Sequence, residues 1–88
     1  MLKISIISDS DEAVHFQLEG KLVGPWVEEL KRLSEEALSR EKAVSLDLER
    51  VWFVDLHGVT LLRDLGRKQV AQLNRSQFVS QQLKETAQ

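Results

Sequence analysis

The stretch Ser45-Leu46-Asp47-Leu48-Glu49-Arg50-Val51-Trp52-Phe53-Val54-Asp55-Leu56-His57-Gly58-Val59 decides how the chain is read. With Ala43 and Val44 ahead of it, the segment Ala43-Val44-Ser45-Leu46-Asp47-Leu48 alternates as a strand does. A dense apolar run, Val51-Trp52-Phe53-Val54, comes next and breaks at Asp55-Leu56-His57-Gly58. Val59, Leu61, Leu62 and Leu65 then take up helical spacing, with Arg63, Asp64, Arg67 and Lys68 outside. A strand is thus delivered to the start of a helix, where backbone N–H groups lack partners and the dipole favours an anion. Gly66 costs that helix about 1 kcal/mol relative to alanine, so an early end is expected.

Toward the N-terminus, Pro25 suits the first helical position, because it has no N–H to leave unbonded and its φ is already fixed. Trp26, Val27, Leu30, Leu33, Ala37 and Leu38 form one apolar stripe. Glu28, Glu29, Lys31, Arg32, Glu35, Glu36 and Arg40 face away, with Glu28–Arg32 and Glu36–Arg40 at ion-pair spacing. Residues 25–40 therefore read as an amphipathic helix. Before it, Val14, Phe16 and Leu18 alternate with His15, Gln17 and Glu19, and Gly20 is expected to end that strand. Leu2, Ile4 and Ile6 alternate with Lys3 and Ser5, and the polar run Asp9-Ser10-Asp11-Glu12 joins the two strands as an antiparallel hairpin.

Toward the C-terminus, Val70-Ala71-Gln72-Leu73 reads either as a short last strand, frayed or missing, or as the tail of the second helix. Ser76 is placed to cap a final helix with Phe78, Val79 and Leu83 inward. The order is β-β-α-β-α-(β)-α. Strands alternating with helices imply parallel pairing, with the hairpin supplying an antiparallel edge. The polar positions His15, Gln17, Glu19, Ser45 and Asp47 leave one sheet face without helices.

Composition narrows the function. Eighty-eight residues make one small domain, and 42% hydrophobic with 30% charged residues is an ordinary globular balance. A net charge of −2 argues against nucleic acid or anionic lipid as a general partner. The chain has no cysteine, which excludes disulfides, thiolate metal sites and a cysteine nucleophile. The segment Met1-Leu2-Lys3-Ile4-Ser5-Ile6-Ile7-Ser8 is too short and interrupted for a signal peptide, and no run reaches transmembrane length. A cytoplasmic protein without direct membrane insertion is expected.

That element order, with Phe16-Gln17-Leu18-Glu19-Gly20-Lys21-Leu22 and the stretch from Ser45 to Val59, resembles the STAS domain, which joins sulfate transporters to bacterial anti-sigma factor antagonists. The resemblance covers essentially the whole chain and is most specific at Leu46-Asp47-Leu48 and Asp55-x-x-Gly58. It implies an α/β fold: a STAS-like mixed four-stranded sheet with helices mainly on one face, a single domain over residues 1–88. In antagonists of the family, a serine just before the glycine is phosphorylated by a partner kinase. The added charge of about −1.5 to −2 disrupts docking of the anti-sigma factor. Here Leu56 and His57 precede Gly58, so neither hydroxyl is present and the serine switch is not expected. Val23 likewise stands near Gly20-Lys21-Leu22, where the family often has an acidic residue.

The expected partner-binding residues are Asp55, Leu56, His57, Gly58, Val59 and Thr60, with His57 at the position of the absent serine. Asp55 also reads as an ordinary helix cap, His57 as a surface histidine or a pH-tuned contact, and Thr60 as a helix-start residue. Asp47 and Asp55 lie near one sheet end, but nothing supplies a nucleophile or pocket for catalysis. His15 and His57 lack metal-ligand spacing, and neither a metal nor another cofactor is expected. Trp26, Trp52 and Phe53 should mostly be core. One of Trp52 and Phe53 should face out, since neighbours on a strand point to opposite sides. Arg63, Arg67 and Lys68 read as a solvated helix face. Together these features describe a non-enzymatic interaction module resembling an anti-sigma factor antagonist, whose partner is a kinase-like anti-sigma protein. The alternative is a small STAS subunit attached to the ATPase of a lipid-type ABC transporter.

Overall fold

A computed structural model describes residues 1–85, with side chains to residue 84. The elements are β1 (Leu2–Asp9), β2 (Ala13–Leu22), α1 (Pro25–Ser39), β3 (Ala43–Val54), α2 (Leu56–Arg67), β4 (Ala71–Leu73) and α3 (Gln77–Glu85). They build a four-stranded sheet in the order β1-β2-β3-β4. β1 and β2 pair antiparallel, and β2–β3 and β3–β4 pair parallel. Because the strand order advances in one direction, crossovers of one hand put α1 and α2 on the same face. The core between helices and sheet is Val14, Phe16, Leu18 and Leu22 of β2 and Val44, Leu46, Leu48, Val51 and Val54 of β3, packed against Val27 and Leu30 of α1 and Val59, Leu62 and Leu65 of α2.

β3 is one strand of twelve residues where its sequence reads as two pieces. Along the β2–β3 ladder Gln17 faces Asp47 but Glu19 faces Arg50, and Gly20 faces Val51 but Lys21 faces Phe53. Each step adds one residue to β3, so its buried positions pass from every second residue (Val44, Leu46, Leu48) to every third (Val51, Val54). The core face is kept, and a pair of neighbours is put outside at each step: Glu49 with Arg50, then Trp52 with Phe53. Trp52 and Phe53 are accordingly 61% and 39% exposed, so both face out where one was expected to. Trp26 is half-buried against the core.

Other expectations are corrected in the same way. Gly20 does not end β2, which continues to Leu22. Its φ is +113°, and an added Cβ would lie 2.5 Å from the carbonyl oxygen of Met1, so the glycine admits the start of β1 rather than terminating a strand. α1 stops at Ser39, and Arg32 holds Glu29 at 2.7 Å and Glu36 at 3.7 Å rather than Glu28. The expected Arg40–Glu36 pair forms at 3.2 Å. α2 begins at Leu56, ahead of the expected Val59, and runs past Gly66 to Arg67. The Gly66 carbonyl accepts the N–H of Gln69 (3.0 Å) while Leu65 accepts from Val70 (3.0 Å), a Schellman closure that uses the glycine in the last turn.

β4 is formed, pairing Ala71–Leu73 with Ser45–Asp47. The Gln72 side-chain amide ties it to α2 by donating to the Leu62 carbonyl at 2.6 Å. α3 buries Val79 and Leu83 as expected, but Phe78 is exposed and stacks on Phe53, with ring centroids 6.1 Å apart.

Candidate functional site

The parallel strands β2 and β3 end side by side at Leu22 and Val54, and α1 and α2 both start there. Asp55 joins the two starts. Its Oδ1 accepts the N–H of Gly58 at 2.7 Å, capping α2, and its Oδ2 accepts the N–H of Gly24, the capping residue of α1, at 3.1 Å. Its own N–H donates to the Leu22 carbonyl at 3.2 Å. One carboxylate therefore satisfies orphan donors of both helices at the positive ends of their dipoles. The role of Asp55 as a helix cap is thus present, and the link to Gly24 was not read from the sequence. Gly24-Pro25 is the signal that marked it, since a residue before an N1 proline is a capping position whose N–H needs a partner.

Close packing sets the rest of the corner. A Cβ at Gly58 would meet Val54 Cγ1 at 2.6 Å and the Leu22 carbonyl oxygen at 2.8 Å, so only glycine lets α2 start so near β2. Gly58 and Val59 are buried, and neither presents a side chain to a partner. Leu56 is 66% exposed, and His57 and Thr60 are exposed beside it. The Thr60 hydroxyl donates to the Leu56 carbonyl at 3.0 Å, which occupies its proton within the helix. Of the six expected binding residues, Leu56, His57 and Thr60 form the outer surface, while Asp55, Gly58 and Val59 hold it in place.

A cleft of about 420 Å³ runs between α1 and α2 from His57 and Thr60 to Lys68. Val27, Leu61 and Leu65 form its apolar floor, with Glu28, Lys31, Glu35, Asp64 and Arg67 along the rim. Lys68 Nζ donates to Glu35 Oε2 at 3.0 Å and closes the far end. That hydrogen bond holds the Glu35 carboxyl below its ordinary value; desolvation opposes it, and the attraction of Lys68 and Lys31 adds to it. Arg67 pairs with Asp64 at 3.1 Å, and with Lys68 also paired, the expected cationic face is largely compensated.

The remaining combinations are not brought together. Asp47 and Asp55 are separated by roughly 25 Å of extended strand, which corrects their placement near one sheet end. Asp47 Oδ1 accepts the N–H of Glu49 at 3.0 Å. His15, well back along β2, meets Ser45 Oγ through Nδ1 at 2.6 Å, far from His57 at the start of α2. Among the described residues no three His, Asp or Glu side chains gather as a metal site would need. The outward aromatic surface is wider than the single ring expected there: Lys21 Nζ lies 4.8 Å over the Trp52 ring, next to the Phe53–Phe78 stack.

No protein-family model matches the chain, and no curated protein does. Solved structures do. The anti-sigma factor antagonist SpoIIAA in its unphosphorylated form superposes with a TM-score of 0.71 at 23% identity, over 93% of this chain and 82% of that one. An uncharacterized protein of the DUF3478 family with a SpoIIAA-like fold, from Shewanella loihica PV-4, superposes with a TM-score of 0.59 at 22% identity, over 97% of this chain and 75% of that one. The fold is therefore STAS-like: a mixed four-stranded α/β sheet with three helices, as the element order implied.

Proposed function

We propose that this chain is a non-enzymatic protein-interaction module that docks a kinase-like anti-sigma partner through the start of α2. The observation that carries this reading is the double role of the Asp55 carboxylate. By holding Gly24 at 3.1 Å and Gly58 at 2.7 Å it fixes two helix starts as one rigid ledge, with Leu56 as its exposed apolar tip. Leu56, His57 and Thr60 are the contacts, and Asp55, Gly58 and Val59 position them. The fold neighbour described as an anti-sigma factor antagonist supports the class of partner. His57 stands where a phosphorylatable serine would be, and the Thr60 hydroxyl is engaged with the backbone. Docking is therefore controlled by partner supply or competition, in the cytoplasm, rather than by a phosphate on this chain.

Titration calorimetry against a cognate kinase-like anti-sigma protein is expected to give a 1:1 complex. Leu56→Asp and His57→Asp should each weaken it at least about tenfold, or 1.4 kcal/mol. Unchanged affinity in both variants removes the α2 start from the interface.

The exposed Trp52, Phe53 and Leu56 favour a second reading, a permanent subunit on the cytoplasmic ATPase of a lipid-type transporter. Large apolar side chains left on a surface are typical of faces covered in an assembly. Co-purification of a transporter ATPase at fixed stoichiometry with the tagged chain supports that reading, and its absence removes it.

A further inference from the structure

β1 is an edge strand of eight residues, and α1 packs chiefly over β2 and β3, so the outer rim of the sheet is open. The N–H of Lys21 donates to the Met1 carbonyl at 2.9 Å, which sets the phase of the β1–β2 ladder. In an antiparallel pair alternate residues turn both backbone groups to the partner. Met1, Lys3 and Ser5 therefore bond β2, and Leu2, Ile4 and Ile6 turn their N–H and C=O groups outward, away from the rest of the sheet. Ile6 faces Phe16 across the ladder, on the core side of the sheet, yet remains 59% exposed. Beneath it lies a shallow groove of about 130 Å³, with Val14, Phe16, Leu33 and Ala37 as its apolar floor. Asp9, Glu36, Arg40 and Lys42 stand along its rim, where Lys42 pairs with Asp9 at 2.6 Å. A register shift between Ile6 and Ser8 leaves Ile7 at a bulge, 56% exposed, and limits the regular free edge to Leu2–Ile6.

We infer that this edge pairs with a second copy of the chain, β1 against β1, in an isologous antiparallel dimer. The occupant follows from the segment Ile4-Ser5-Ile6, which reads the same in both directions. A two-fold axis at Ser5 puts Ile4 opposite Ile6 of the second copy and Ile6 opposite its Ile4. These are the residues whose backbone groups point outward, so each pair exchanges both N–H···O bonds. All four isoleucine side chains then lie on the helix-covered face and continue each core across the seam. Lys3 falls at the Ile7 bulge of the second copy, beyond the regularly paired Ile4–Ile6 segment, which itself carries no charge. Because only this short edge takes part, the interface is small and the dimer dissociates on dilution. The start of α2, at the end of the next strand but one, stays free for its own partner.

Sedimentation equilibrium, combined with amide hydrogen exchange, tests this. At about 100 µM, where small interfaces associate, the chain should sediment at twice its 10.1 kDa mass. The Ile4 and Ile6 amides should then exchange at least about tenfold more slowly than at low micromolar concentration. Ile6→Lys, at an exposed position, should restore the monomer with an unchanged circular dichroism spectrum, whereas Leu56→Asp should leave the dimer intact. A chain that is monomeric at that concentration overturns the inference. So does a dimer that survives Ile6→Lys, or one that leaves the Ile4 and Ile6 amides unprotected.

Discussion

α2 and α3 begin with the same local chemistry and in unlike surroundings. Asp55 caps α2 by accepting the N–H of Gly58 at 2.7 Å, and Ser76 caps α3 by accepting the N–H of Val79 at 3.1 Å. Ser76 has a second, longer bond in which its hydroxyl donates to the Val51 carbonyl at 3.4 Å. Asp55 has a second N–H to hold, that of Gly24, and sits where two strand ends and two helix starts converge. A cap with one donor secures a helix, whereas a charged cap with two donors secures the relation between helices. That difference is why the α2 corner, and not the α3 end, is suited to present a fixed surface.

The comparison breaks first at glycine. Gly58→Ala would push a methyl group to 2.6 Å from Val54 Cγ1 and 2.8 Å from a backbone oxygen that cannot swing away. The expected cost is about 3 kcal/mol, or roughly 15 °C in Tm for a domain of this size. Gly66→Ala in the same helix meets only the Gln72 amide nitrogen at 3.5 Å and should stabilise by about 0.5–1 kcal/mol, because alanine is the better helix former. Thermal unfolding of the two variants separates close approach from helix propensity. Equal effects would mean that the corner is not tightly packed.

The caps come next. Asp55→Ala strands two N–H groups and should cost about 2 kcal/mol, while Ser76→Ala should cost about 1 kcal/mol, both read from urea unfolding. A Ser76 effect as large as that of Asp55 would erase the distinction between the two ends. In α1 the hydroxyl of Ser34 is fully buried with no hydrogen-bond partner among the described residues, so Ser34→Ala should stabilise by about 1 kcal/mol.

The smallest effect lies at the far end of the cleft. Glu35 is held below its ordinary value of 4.5 chiefly by the hydrogen bond from Lys68. A carboxyl with a lowered folded value contributes stability above 4.5 that is lost as pH falls through that lower value. The group is solvent-exposed and screened, so the stability effect is slight and the titration itself is the readout. Lys68→Met should return the Glu35 carboxyl toward 4.5 in a side-chain NMR titration. An unmoved titration would assign the shift to some other group.

Much of this was legible in the chain because local rules and tertiary packing agree. The stripe from Trp26 to Leu38, the Pro25 start, the β1–β2 hairpin and the Ser76 cap follow from period and turn chemistry alone. The two register shifts of β3 were not legible, since a strand that passes from buried every second residue to buried every third reads as two segments. Both outward aromatics follow from that one feature. Gly20 misled for a related reason: a glycine that admits a neighbouring backbone and one that ends a strand look the same in sequence. At the corner, the Asp55 cap and the lack of a serine at position 57 were plain. The tie from Asp55 to Gly24 joins residues 31 apart and depends on the parallel pairing of β2 with β3.

The central claim is that the start of α2 is the docking surface, and amide hydrogen exchange on the chain bound to its partner tests it most directly. Slowed exchange should fall on the amides from Leu56 to Thr60 and on Gly24, with the Gln17–Asp47 region of the open sheet face unchanged. Protection confined to that sheet face or to α3, with the α2 start exchanging as it does in the free chain, would contradict it.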